Sequence, residues 1–254
     1  MIRLARPRRH AILAGLAALL LSSGSALAAS AQIAVAANFT DAANEIATAF
    51  QAETGDEAVL SFGSTGQIYT QITQGAPFEV FLAADDVRPE KAASEGLGVK
   101  GSVFTYAIGQ LVLYSADPAL VKDGETLKGK GFNKIAIANP EAAPYGAAAV
   151  ETMKALGLFD TLSPRIVQGT SIAQAYQFVE TGSAELGFVA LGQVVNAKGG
   201  SQWAVPQSLY TPIRQDAVLL TKGESNEAAK AFVAFLKSPK ALEIIRQYGY
   251  RTGE

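Results

Sequence analysis

Apolar positions recur along this chain first at strand spacing and then at helical spacing, and the changeovers organise it. Ile33-Ala34-Val35-Ala36-Ala37 reads as a strand, and after Asn38 the residues Ala42, Ala43, Ile46, Ala47 and Phe50 fall on one helical face. Asn38 stands where a helix N-cap is expected, with Asp41 in the first turn, where the helix dipole favours negative charge. The same sequence of events returns three times. Residues 58–62 run into Gly63-Ser64-Thr65-Gly66-Gln67, with Ile68, Tyr69 and Ile72 behind them. Residues 134–138 pass through Asn139-Pro140 to Ala143-Pro144-Tyr145-Gly146, and 165–168 reach Gly169-Thr170-Ser171-Ile172, then Ala175, Tyr176 and Val179. Most of these junctions carry small or hydroxyl residues where the open N–H groups of a helix start can receive an anion.

Strands and helices alternate over 32–37, 39–54, 57–62, 66–74, 78–84 and 87–95, which predicts an α/β fold with mostly parallel sheets and helices on both faces. Ligands of such sheets sit at the carboxyl ends of strands, where the four junctions lie. Asp85-Asp86 is expected to cap the helix that follows. Two long extended runs, 103–114 and 210–220, bracket a further strand–helix series. They point to two lobes joined by a double crossover with a cleft between them, lobe I from 29–108 plus 213–254 and lobe II from 109–212. A single continuous sheet is the alternative that periodicity leaves open. Helices over 225–237 and 239–248 close the chain.

Residues 1–28 read as an export signal: Arg3, Arg6, Arg8 and Arg9, then an apolar core over 11–21, then Ala26-Leu27-Ala28 as the cleavage site. Ordinary secretion is expected over the twin-arginine route, and no Cys follows the core to anchor a lipid. Removing the leader leaves 17 Lys and Arg against 23 Asp and Glu, a net charge of −6. That balance argues against nucleic acid or an anionic membrane as partner. A bound anion must therefore be held by local dipoles and hydrogen bonds.

Two absences narrow the chemistry further. The one His is His10, inside the leader, and there is no Cys. Ser-His-Asp and Cys-His pairs, histidine acid–base work and ordinary zinc sites are thereby excluded from the mature chain. No Ser-x-x-Lys, Gly-x-Ser-x-Gly or phosphate-binding Walker loop is present. An enzyme is not expected; a secreted carboxylate-pair enzyme or a surface interaction module are the alternatives from other classes.

Several stretches together carry a resemblance. They are Ala36-Ala37-Asn38-Phe39, Phe62-Gly63-Ser64-Thr65-Gly66, Gly75-Ala76-Pro77-Phe78-Glu79-Val80-Phe81-Leu82-Ala83-Ala84-Asp85, Asn139-Pro140 with Ala143-Pro144-Tyr145-Gly146, Glu185-Leu186-Gly187-Phe188-Val189-Ala190, and the ending around Phe235-Leu236-Lys237-Ser238-Pro239-Lys240-Ala241 and Tyr248-Gly249-Tyr250. Over essentially the whole mature length the chain resembles the periplasmic molybdate-binding proteins of ABC-type importers. The resemblance implies a two-lobed class II periplasmic binding protein fold with two hinge crossovers, holding molybdate or tungstate in the central cleft with no cofactor and no direct metal ligand. By motif position it implies an oxyanion-binding set of Ala37 (backbone), Asn38, Ser64, Thr65, Tyr145 and the backbone N–H of Ile172. Many relatives have Ser where Asn38 stands and Tyr where Ala190 stands, and Tyr145 is expected to supply that phenol from another direction. The implied partners are the membrane subunits of an ABC permease, and a monomer is expected. The same fold carrying sulfate or another oxyanion is the nearest alternative.

Overall fold

The computed structural model describes residues 28–252, together with Ile2; the rest of the expected leader lies outside the described residues. In chain order the elements are β1 (Ser30–Ala36), a 3-10 turn (Ala37–Phe39), α1 (Thr40–Thr54), β2 (Glu57–Gly63), α2 (Thr65–Thr73), β3 (Val80–Leu82), α3 (Val87–Ser94), β4 (Phe104–Gly109) and β5 (Leu111–Ser115). There follow β6 (Ile135–Ala138), α4 (Pro144–Ala155), α5 (Phe159–Leu162), β7 (Ile166–Gly169), α6 (Ile172–Glu180), β8 (Leu186–Ala190) and α7 (Leu191–Val194). Finally come β9 (Ser201–Ala204), β10 (Ile213–Leu219), α8 (Glu227–Phe235) and α9 (Pro239–Gln247).

The strands form two five-stranded sheets, ordered β2-β1-β3-β10-β4 and β7-β6-β8-β5-β9. The single continuous sheet is thereby overturned. Only the three strands at one edge of each sheet pair parallel with one another; β10 pairs antiparallel with β3 and β4, and β5 pairs antiparallel with β8 and β9. The expectation of mostly parallel sheets is corrected to mixed ones, because each strand arriving from the other sheet enters against the local strand direction.

The extended run 103–114 is one path through two sheets. It leaves the first at Gly109 and enters the second at Leu111, with Gln110 alone between them. The return path runs from β9 through a 3-10 turn at Gln207–Leu209 into β10, so the second extended run is a strand only from Ile213.

Local chemistry sets the helix limits. Gly55, at φ 80°, ends α1 in the left-handed conformation and donates its N–H to the Gln51 carbonyl at 2.9 Å. Pro144 opens α4, where a missing N–H costs nothing, and Ser171 caps α6 by accepting from Gln174 N at 3.3 Å. Asp85 accepts from Arg88 N at 2.9 Å, so it rather than Asp86 satisfies the start of α3.

Packing follows the predicted stripes. Ala42, Ala43, Ile46 and Phe50 of α1 are buried against the first sheet, and Phe50 meets Phe232 and Phe235 edge-on at 5.3 and 5.6 Å. Each such ring contributes about 1.5–3 kcal/mol by burial alone. Ile68 and Ile72 of α2 cover the other face with Phe81 and Val218. The core of the second sheet also takes in Ala36, Ala37 and Ala84, residues from strand ends of the first.

Candidate functional site

The four strand-to-helix junctions converge. A small cavity is lined by Ala37, Asn38, Ser64, Thr65, Tyr145 and Ile172, with Ala36, Ala84, Ala143 and Pro144 completing its wall. These residues follow β1, β2, β3, β6 and β7, and none of them carries a charge. A larger neighbouring cavity of about 160 Å³ presents Asp85, Asp86 and Glu151 alongside Arg214. Carboxylates in that wall repel an anion, whereas the small cavity offers donors.

At the first junction the structure corrects the reading of Asn38 as a helix cap. Ala37–Phe39 form a 3-10 turn before α1, the N-cap of α1 is Phe39, and no side chain caps it. The first N–H groups of that turn, those of Ala37 and Asn38, have no partner within it. The Asn38 amide is turned inward instead. Its Nδ2 donates to Gln215 Oε1 at 2.9 Å and to Tyr250 Oη at 3.3 Å, and Tyr250 donates to the Asn38 carbonyl at 2.6 Å.

Ser64 is the N-cap residue of α2, yet its hydroxyl makes no capping bond; Ser64 Oγ is buried without any partner. A buried hydroxyl in that condition costs about 1–3 kcal/mol unless something fills the space in front of it. Thr65 Oγ1 accepts from Ala84 N at 3.0 Å, which leaves its own hydrogen to donate.

Across the cavity, Tyr145 occupies the first turn of α4 and is 1% exposed. Its hydroxyl accepts from Gln215 Nε2 at 3.2 Å. Burial, reinforced by Tyr250 and Tyr106 nearby, pushes the phenol well above its ordinary pKa, so it keeps its proton. Ile172 opens α6 directly after the Ser171 cap, with its side chain in the core and its N–H among the free donors of that helix start.

Other contacts hold the two sides together. Gly66 N donates to Ala142 O at 2.9 Å, and a Cβ on Gly66 would lie 3.0 Å from Ala142 Cα. Arg88 pairs with Asp85 and donates from Nη2 to Glu141 O at 3.0 Å. Sequence reasoning missed Gln215, Tyr250, Tyr106, Gly109 and Arg88. A signal for Gln215 was present: Gln215-Asp216 interrupts an apolar strand, and both residues are buried. Among the described residues no group of three or more Asp, Glu, His or Cys is gathered to hold a metal ion.

Comparison with known proteins bears on what such a site is for. Residues 31–251 match the family model described as bacterial extracellular solute-binding protein. The chain is 57% identical over 242 residues to the molybdate-binding protein ModA of Rhodobacter capsulatus, covering 94% of this chain and 96% of that one. It is 58% identical over 229 residues to ModA of Azotobacter vinelandii, covering 89% and 91%. Among solved structures, the Azotobacter vinelandii periplasmic molybdate-binding protein superposes with a TM-score of 0.86 at 42% identity, covering 88% of this chain and all of that one. The chain therefore belongs to the bacterial extracellular solute-binding proteins and, among them, to the molybdate-binding protein family.

Proposed function

We propose that this chain captures one tetrahedral oxyanion, molybdate or tungstate, in the cavity between its sheets and delivers it to the membrane subunits of an ABC importer from the periplasm. One observation carries the reading: junctions from both halves of the chain bring only neutral donors to a single cavity. The donors are the hydroxyls of Ser64, Thr65 and Tyr145 and the backbone N–H groups at Ala37, Asn38 and Ile172. Each bond to a dianion contributes roughly 1.5–3 kcal/mol, so about six of them offset the desolvation of the ion. Helix N-termini behind them add partial positive charge at no cost in selectivity.

The two halves act as lobes, 29–108 with 213–254 and 109–212, hinged where the chain passes Gln110 and where it returns into β10. Donors drawn from both make closure depend on the ligand, since only the closed form completes the shell. A site of donors alone favours an oxyanion without a proton, because the O–H of hydrogenphosphate would face donors and find no acceptor. The closed form is then the one that docks on the permease, as a monomer, and no catalytic turnover is assigned to it.

Calorimetric titration of the chain beginning at Ala29 with molybdate, tungstate, sulfate and phosphate tests the reading. One-to-one binding of molybdate and tungstate, undisturbed by excess sulfate, is the expected result. Absence of heat and of thermal stabilisation with all four ions would sink it.

A further inference from the structure

Behind the cavity lies a directed chain of hydrogen bonds through Gln215, a residue with 0% exposure on the strand that returns from the second sheet. The pairing of β10 with β4 shifts register between Gln215 and Asp216, and this bulge aims the Gln215 side chain at the site. The direction of each bond follows from the one before. Tyr250 spends its only hydrogen on the Asn38 carbonyl at 2.6 Å, so its oxygen can only accept, and Asn38 meets it with Nδ2 at 3.3 Å. The second hydrogen of that amide goes to Gln215 Oε1 at 2.9 Å, where Tyr106 Oη also lies within 3.1 Å. With Oε1 engaged there, Gln215 presents Nε2 to the Tyr145 hydroxyl at 3.2 Å. The phenol oxygen is thus held as an acceptor from behind, and its single hydrogen can turn to the Tyr250 oxygen nearby or to an anion in the cavity.

We infer that Gln215 is a positioning residue: through this relay it turns the Tyr145 hydrogen toward the bound oxyanion and so sets the rejection of protonated oxyanions. The inference rests on the oxyanion reading of the cavity. Without Gln215 the phenol can rotate and offer a lone pair, which is the one thing a protonated ligand such as hydrogenphosphate lacks in this site. Thr65 shows the same arrangement on the opposite wall, its oxygen held by Ala84 N. Both side-chain hydroxyls with a partner therefore accept from the protein and keep a hydrogen to donate.

The test is a double-mutant cycle read by calorimetry, with molybdate as ligand and phosphate as competitor, on the mature chain and its Gln215→Met, Tyr145→Phe and doubly substituted variants. Thermal melts of the ligand-free proteins check folding. Gln215→Met is expected to lower molybdate affinity about tenfold, the value of one bond to a charged group, and to lower the molybdate-to-phosphate ratio as well. In the Tyr145→Phe background the same change is expected to move that ratio less than twofold, because the group it positions is gone. A ratio unchanged by Gln215→Met, or a loss equally large without the phenol, overturns the relay. Should Gln215→Met fail to fold, Gln215→Asn, whose amide falls one methylene short, carries the same two expected outcomes. A wild-type chain that bound no molybdate would instead remove the oxyanion reading and the relay with it.

Discussion

The Tyr145 hydroxyl lies against the bare Cα of Gly109: a Cβ there would stand 2.0 Å from Tyr145 Oη and 2.6 Å from Gln215 Nε2. Gly109 is the last residue of the first sheet before the chain crosses to the second, so the hinge backbone and the phenol share one space. Gly109→Ala is expected to push Tyr145 out of line and weaken molybdate binding about 5- to 100-fold, since overpacking of a buried contact costs about 1–3 kcal/mol. Titration calorimetry gives the affinity, and small-angle scattering with and without molybdate shows whether closure is lost. Unchanged affinity would mean that the phenol has room to move.

Ser64→Ala should have opposite effects on the two states. Its hydroxyl is buried without a partner and caps no helix, so removing it relieves the ligand-free protein of about 1 kcal/mol, or roughly 2–4 °C in Tm. The same change removes a donor to the anion and should weaken molybdate binding at least tenfold. A ligand-free melt that falls instead would show that Ser64 has a structural partner and is not waiting for the ligand.

Asp216 gives the protein a pH dependence separate from the site. It is 2% exposed, Oδ1 has no hydrogen-bond partner, and burial raises its pKa above the ordinary 3.8 despite Thr105 and Arg214 nearby. Between 3.8 and the raised value the folded state holds more protons than the unfolded one, so this residue's contribution to stability falls as pH rises through that window. Asp216→Asn should therefore be more stable than wild type at pH 7, with the difference shrinking toward pH 4. Denaturation at both pH values measures it; a constant difference would place the effect in packing.

Arg88 joins the two sides at the edge of the cavity through Asp85 and the Glu141 carbonyl. The guanidinium is partly exposed, so its contribution is expected near the upper end of surface pairs, up to about 1 kcal/mol. Arg88→Ala should speed molybdate release about two- to fivefold in stopped-flow displacement while leaving the molybdate-to-sulfate ratio unchanged. A change in that ratio would place Arg88 in the recognition of the ion itself.

Much of the site was legible because it is local. A strand end, a small or hydroxyl residue and the first turn of a helix are consecutive in sequence, and the helix dipole and open N–H groups come with them. The junctions that carry Ser64, Thr65, Tyr145 and Ile172 could be picked out this way, while the family resemblance singled out the residues themselves, and the structure brings them with Ala37 and Asn38 to one cavity. What each side chain does there was not legible. Asn38 looks like a cap from its neighbours, but the partners that turn its amide inward, Gln215 and Tyr250, lie 177 and 212 residues away.

By itself the sequence determined the alternation of strands and helices, the neutral residue types at the junctions and the absence of imidazole and thiol after residue 28, because these depend on residue type and near spacing. The tertiary structure alone decided that the run 103–114 splits between two sheets, that Gly109 leaves room for a phenol, and that Gln215 stands behind it. Periodicity measures how a segment meets a surface, and it is blind to which surface; the direction of a hydrogen bond is set only when all of its partners are in place.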